Sequence, residues 1–123
     1  MTGHDFRRVA LKLPGTIEGS HMGHPDFRAG GKIFATLDYP TEGWGMVKLS
    51  PEQQDDVLHA QPAVFVAVKG AWGRQGATNV RLETVGASTL EKALRLAWSY
   101  ATSASKKTAA VRKRAKSTAK VSS

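Results

Sequence analysis

The stretch GAWGRQG, residues 70–76, sets an indole and a guanidinium among three glycines. Glycine lets a backbone bend without steric penalty. Trp72 then offers a stacking plane and Arg74 a cation, the two groups that hold bases and phosphodiesters without reading their sequence. The glycine spacing is neither GxGxxG nor a Walker loop with its lysine and hydroxyl, so the stretch is no nucleotide-phosphate fingerprint. The alternative is a hairpin loop whose Trp72 folds back onto the domain.

Other groups with chemical potential are sparser. His21 and His24 stand in SHMGH with Asp26 two residues on. Two ligands three apart in a Gly/Pro turn, with no HExxH and no cysteine to complete a set, read as surface or capping histidines, and no metal or other cofactor is expected. Gly19-Ser20 is not a nucleophile elbow, and the scattered acids form no carboxylate pair, so no enzymatic activity is expected. Near the end of the chain, KKTAAVRKRAKSTAK carries Lys106, Lys107, Arg112, Lys113, Arg114, Lys116 and Lys120. These seven cations, with no acid between residues 103 and 123, account for most of the net charge of +8; residues 1–102 hold eleven basic against ten acidic side chains. The tail has only Val111 and Val121 as large aliphatics. It cannot bury enough apolar surface to offset the entropy of ordering, so residues 103–123 are expected to be a disordered basic tail. Such a tail binds phosphate backbones without sequence preference, or else serves only as a solubilising end.

These groups must be positioned by the rest of the chain, which is long enough for one domain with one core. With no cysteine there is no disulfide framework and no thiolate nucleophile, as suits a reducing compartment. The longest apolar run, residues 63–68, is far short of the roughly 18 residues of a membrane span. No apolar signal region follows Met1, and the expectation is a cytoplasmic protein with no membrane partner. Phe6, Val9, Ala10 and Leu13 trace a short amphipathic helix stopped by Pro14-Gly15. Residues 16–20 and 25–28 are weakly extended. Lys32–Leu37 and residues 45–49 alternate as strands joined by a turn with Pro40, Glu42 and Gly43. SPEQ at 50–53 is a capping box with proline at the first helical position, predicting a helix that ends before Pro62. Residues 63–68 and 78–82 follow as strands. Ser88 and Glu91 form a second capping box ahead of a helical stripe of Leu90, Ala93, Leu94, Ala97, Trp98 and Ala101. The pattern α-β3-α-β2-α predicts a two-layer α+β domain, an antiparallel five-stranded sheet with helices on one face. Ile33, Ala35, Val47, Leu49, Val80 and Leu82 are expected to face the helices. The open face then carries Lys32, Phe34, Thr36, Met46, Lys48, Asn79 and Arg81.

HPDFRAGGKIFATL at 24–37, MVKLSPEQ at 46–53, the tryptophan of GAWG and the Ser99-Tyr100 pair together resemble the MmcQ/YjbR family over roughly residues 6–102. The resemblance implies the same α-β3-α-β2-α order, a YjbR-like, secretion-chaperone-like fold, no catalytic activity, and the DNA-binding label commonly attached to that family. The combined expectation is a domain over 1–102 that binds DNA through Lys32, Phe34, Lys48, Trp72, Arg74 and Arg81, with the tail adding affinity. Its rival is a protein-interaction module binding a peptide, or a second copy, on the open sheet face. A positive strip through Lys32, Lys48, Arg74 and Arg81 would favour DNA; an apolar patch around Phe34 and Met46 would favour a protein partner.

Overall fold

The computed structural model describes residues 1–110, with side chains described through residue 103. Helix α1 (Gly3–Lys12) leads into four strands, β1 (Ile17–His21), β2 (His24–Ala29), β3 (Lys32–Leu37) and β4 (Trp44–Lys48). Helix α2 (Pro51–Ala60), strand β5 (Phe65–Ala67), the single-turn helix α3 (Ala71–Arg74), strand β6 (Ala77–Arg81) and helix α4 (Ala87–Ala110) complete it. The sheet is antiparallel throughout, in the order β1-β2-β3-β4-β6-β5, so the excursion through α2 returns β6 against β4 and leaves short β5 at the edge.

The α+β class and the antiparallel sheet are as expected, but there are six strands rather than five. Residues 17–21 and 24–29 each form a full strand, and their register keeps a two-residue turn between His21 and His24. The fourth helix is α3, inside the stretch read as a glycine loop, and residues 63–68 contribute only three residues of strand. α4 starts at Ala87, which puts Ser88 inside its first turn rather than at its cap. Its backbone continues past Thr102 to Ala110.

The main core lies between the sheet and helices α1 and α4, where Phe6, Ala10, Leu13, Leu90, Ala93, Leu94 and Ala97 meet Phe27, Ala35, Val47 and Val80. The Trp98 indole N–H donates to the Pro14 carbonyl at 2.9 Å, tying α4 to the end of α1. The capping box expected at Ser50 closes α2, and α1 carries one that was not singled out from the sequence. Thr2 and Asp5 form a reciprocal capping box on α1, and Ser50 and Gln53 form one on α2. The two hydrogen bonds that Thr2 donates to it, with a third from Arg8, lower the Asp5 carboxyl to about 2. Among the described residues, no helix is long and apolar enough to cross a membrane.

The two faces of the sheet are exchanged at one point. Phe27 pairs with Ala35 and Arg28 with Ile33, which leaves Phe34 as an extra residue on β3. One extra residue in a strand inverts the alternation beyond it. Phe34 therefore turns inward and is fully buried in the main core, 0% exposed, where alternation predicts an open-face aromatic. Ile33, expected under the helices, pairs with Arg28. Lys32 pairs with the core residue Ala29, at the helix-side rim. Past the bulge the prediction holds: Thr36, Met46 and Asn79 follow one another across β3, β4 and β6 on the open face. Met46 is nonetheless buried there, in a small second cluster with Val68 and Ala77 against which Tyr39 packs.

Candidate nucleic-acid interface

The residues 70–76 owe their shape to close backbone approach. A Cβ on Gly73 would lie 1.6 Å from the Val68 carbonyl oxygen, and one on Gly76, whose φ is +113°, would lie 1.9 Å from that of Leu49. No side chain fits at either position, so these glycines are required by packing rather than by a ligand. The turn is also tethered from α2: the buried Gln54 amide donates to the Gly73 carbonyl at 2.9 Å and to the Ala77 carbonyl at 3.0 Å. α3 is thus a fixed platform. It sets the Trp72 indole edge-on to Tyr39 at 5.9 Å between ring centroids, and the Lys48 ammonium 5.9 Å from the indole centroid. Trp72 remains 40% exposed.

Beside this platform is an open cleft of about 850 Å³ whose walls come from β2, β3, β4, α3 and the turn of α4 that bears Tyr100 and Ala101. Arg28, Lys32, Lys48 and Arg74 line it with Trp72 and Tyr100, and among the described residues no acid lines it. The sequence-predicted Lys32, Lys48, Trp72 and Arg74 therefore converge on one site. Lys32 reaches it from the rim after the inversion at Phe34. Phe34 and Arg81 do not: the first is in the core, and the second lies outside the cleft, its guanidinium 4.5 Å from the Trp44 ring centroid and its Nε donating to the Ala63 carbonyl. Lys106 and Lys107 fall on the α4 backbone beyond the described side chains. Arg112, Lys113, Arg114, Lys116 and Lys120 lie outside the described residues, as does the greater part of the expected tail.

Two members of the cleft were not among the expected contact residues. Tyr100, 40% exposed, stands on α4 two residues past Trp98 and off the apolar stripe, a placement its spacing already implied. Arg28 is held by Asp26, which is fully buried on the open face. Its Nε and Nη2 donate to the two carboxylate oxygens at 2.8 and 3.1 Å, and His21 Nδ1 approaches the same carboxylate at 2.7 Å. A carboxylate only accepts, so the His21 proton resides on Nδ1 in this contact. The Arg28 guanidinium, and secondarily His21, hold the Asp26 carboxyl below the usual carboxylate range against the effect of burial, and Asp26 in turn raises Arg28. The guanidinium lies where a side chain on Gly19 would be, 3.2 Å from the position of its Cβ. His21 and Asp26 thus serve an ion pair. Among the described residues no group of three or more His, Asp or Glu is arranged to hold a metal.

A family model described as YjbR matches residues 11–100. The fold is similar to the crystal structure of a Deinococcus radiodurans protein with the domain DUF419, at a TM-score of 0.69 and 23% identity over 82% of this chain and 78% of that one. No curated protein matches the chain.

Proposed function

The chain belongs to the YjbR family, and we propose that it is a small non-enzymatic DNA-binding protein whose domain meets DNA at the cleft beside α3. The observation that carries this reading is the lining itself: among the described residues it holds four cationic side chains, of which Arg28 is paired with the buried Asp26, and two exposed aromatics, with no acid in the lining. In a domain whose first 102 residues are otherwise almost charge-balanced, such segregation of one sign into a recess makes a local field that attracts a polyanion. An apolar patch around Phe34 and Met46 would have favoured the competing protein-interaction reading. Both side chains are buried, at 0% and 1% exposure, and that patch is not on the surface.

The basic residues from 106 to 120 supply the second part of the affinity. If all seven met duplex phosphates they would contribute a slope of log K against log salt of about −6, whereas each cleft cation that meets a phosphate adds about −0.9 on a duplex or −0.7 on a single strand. The test is the full-length double variant Lys48→Ala/Arg74→Ala, titrated with labelled oligonucleotide by anisotropy at four salt concentrations. The slope is expected to become shallower by about 1.4 to 1.8, with weaker binding at low salt. Unchanged slope and affinity in a folded variant would assign all binding to the terminal cations and end the cleft reading.

A further inference from the structure

We infer that the cleft takes single-stranded rather than duplex DNA, with Trp72 and Tyr100 stacking on unpaired bases while Lys48, Arg74, Arg28 and Lys32 hold the intervening phosphates; the inference rests on the DNA-binding reading above. Shape is the first ground. Duplex readers push a helix or a strand pair outward into a groove. Here the cations stand on the walls of a recess, and α3, which carries Trp72 and Arg74, is a single turn pinned to the sheet by its glycines and Gln54. A recess admits a thin, flexible strand and excludes a stiff rod.

The aromatics are the second ground. Trp72 and Tyr100 are each 40% exposed and line the same cleft. In a duplex the base faces are already stacked on one another, so exposed rings beside its phosphates gain nothing specific to them. Unpaired bases present free faces, and stacking on an aromatic plane is favourable for any base. Spacing is the third ground. The Lys48 ammonium is only 5.9 Å from the Trp72 ring centroid, so a phosphate neutralised by Lys48 brings the base of its own nucleotide within reach of the indole. Tyr39, in its T-shaped contact with Trp72, fixes the plane beforehand. The buried Asp26 does the same for Arg28, so two of the contacting groups are ordered before any strand arrives. Phosphate and ring contacts of this kind read no base edges, and the site is expected to tolerate any sequence.

The experiment compares full-length protein with Trp72→Ala, Tyr100→Ala, Trp72→Phe and Tyr100→Phe, using a fluorescein-labelled twelve-residue oligothymidine and a hairpin duplex of equal phosphate count at one salt concentration. Oligothymidine is expected to bind at least about tenfold more tightly than the duplex. Each alanine variant should lose about fivefold or more on the single strand, the lower end of a stacking contact, while the phenylalanine variants recover most of it. The duplex affinity of all four should stay within about twofold of the parent. Equal affinities for both probes, or a single-strand affinity indifferent to both alanine variants, would overturn this inference and leave the DNA-binding reading standing. Binding to neither probe would overturn both. Retention of the parent circular dichroism spectrum by the alanine variants separates a lost ring contact from a lost fold.

Discussion

The tether from α2 to α3 gives the most direct test of how the site is built. Gln54 donates both amide hydrogens to buried carbonyls, those of Gly73 and Ala77. Replacing it with methionine keeps the side-chain volume and removes both bonds. The cost depends on whether those carbonyls are orphaned, and they are not. Gly73 also accepts from the Gly76 N–H at 3.0 Å, and Ala77 from the Val68 N–H at 3.0 Å. The full desolvation penalty of an unpaired group therefore does not apply, leaving about 0.5–1.5 kcal/mol per bond and about 2 kcal/mol in all. Urea unfolding should show this as a lower midpoint, by about 1–2 M at an unchanged slope. Gln54→Glu should be worse at neutral pH, because a carboxylate would face two carbonyl oxygens with no donor between them. Burial raises the pKa of such a glutamate above its unfolded value, so its penalty is absent in acid and grows as pH rises past about 4.3. Trp72 and Arg74 ride on the tethered turn, so oligonucleotide affinity should fall with the methionine variant even where the protein remains folded. An unfolding free energy within about 0.5 kcal/mol of the parent would refute the account of α3 as a platform held from α2.

Two further outcomes follow from close contacts. Gly73→Ala should cost about 3 kcal/mol or more, since its Cβ would sit on the Val68 carbonyl, while Gly86→Ala, at the N-cap of α4 with nothing within 4 Å of its added Cβ, should cost no more than about 1 kcal/mol; thermal unfolding of the pair measures the contrast. The lowered pKa of Asp26 adds stability that is fully present above the unfolded carboxylate value of about 3.9 and is lost as pH falls through the lower folded value. Asp26→Asn should remove about 1–2 kcal/mol at neutral pH, a figure reduced because Arg28 is partly exposed, and should flatten the loss of stability in acid; an unaltered acid limb in urea titrations would contradict the assignment.

What was legible in the sequence is what local chemistry dictates. The Ser50-Gln53 capping box, the apolar stripe of α4 and the alternation of β4 and β6 all appear where their residue types place them. β1 was faint because an edge strand reading IEGSH carries polar residues on both faces, and its pairing with β2 is a tertiary fact. α3 left no trace. Four residues, one of them glycine, have no periodicity to detect, and the turn exists because Gly73 and Gly76 can approach Val68 and Leu49. Phe34 was misplaced for a different reason: alternation is counted from one end of a strand, and a bulge resets the count without changing composition. Arg81 was placed on the correct face but at the wrong end of it, since a face has no left or right until strand order is known.

That same bulge explains how a nearly neutral domain concentrates cations. Without the extra residue, strict alternation would leave Lys32 and Phe34 on the open face, the aromatic exposed and the lysine among the open-face side chains. With it, Phe34 fills the core under α4, Ile33 comes to the open face opposite Arg28, and Lys32 moves to the rim next to the turns bearing Tyr100. The cleft thus gathers cations from both faces of the sheet, Arg28 and Lys48 from the open face and Lys32 from the helix side, while α3 supplies Arg74. A flat sheet with the same residues would spread these charges along separate strands. Curvature at one residue, together with the tethered turn opposite it, converts them into the walls of a single recess.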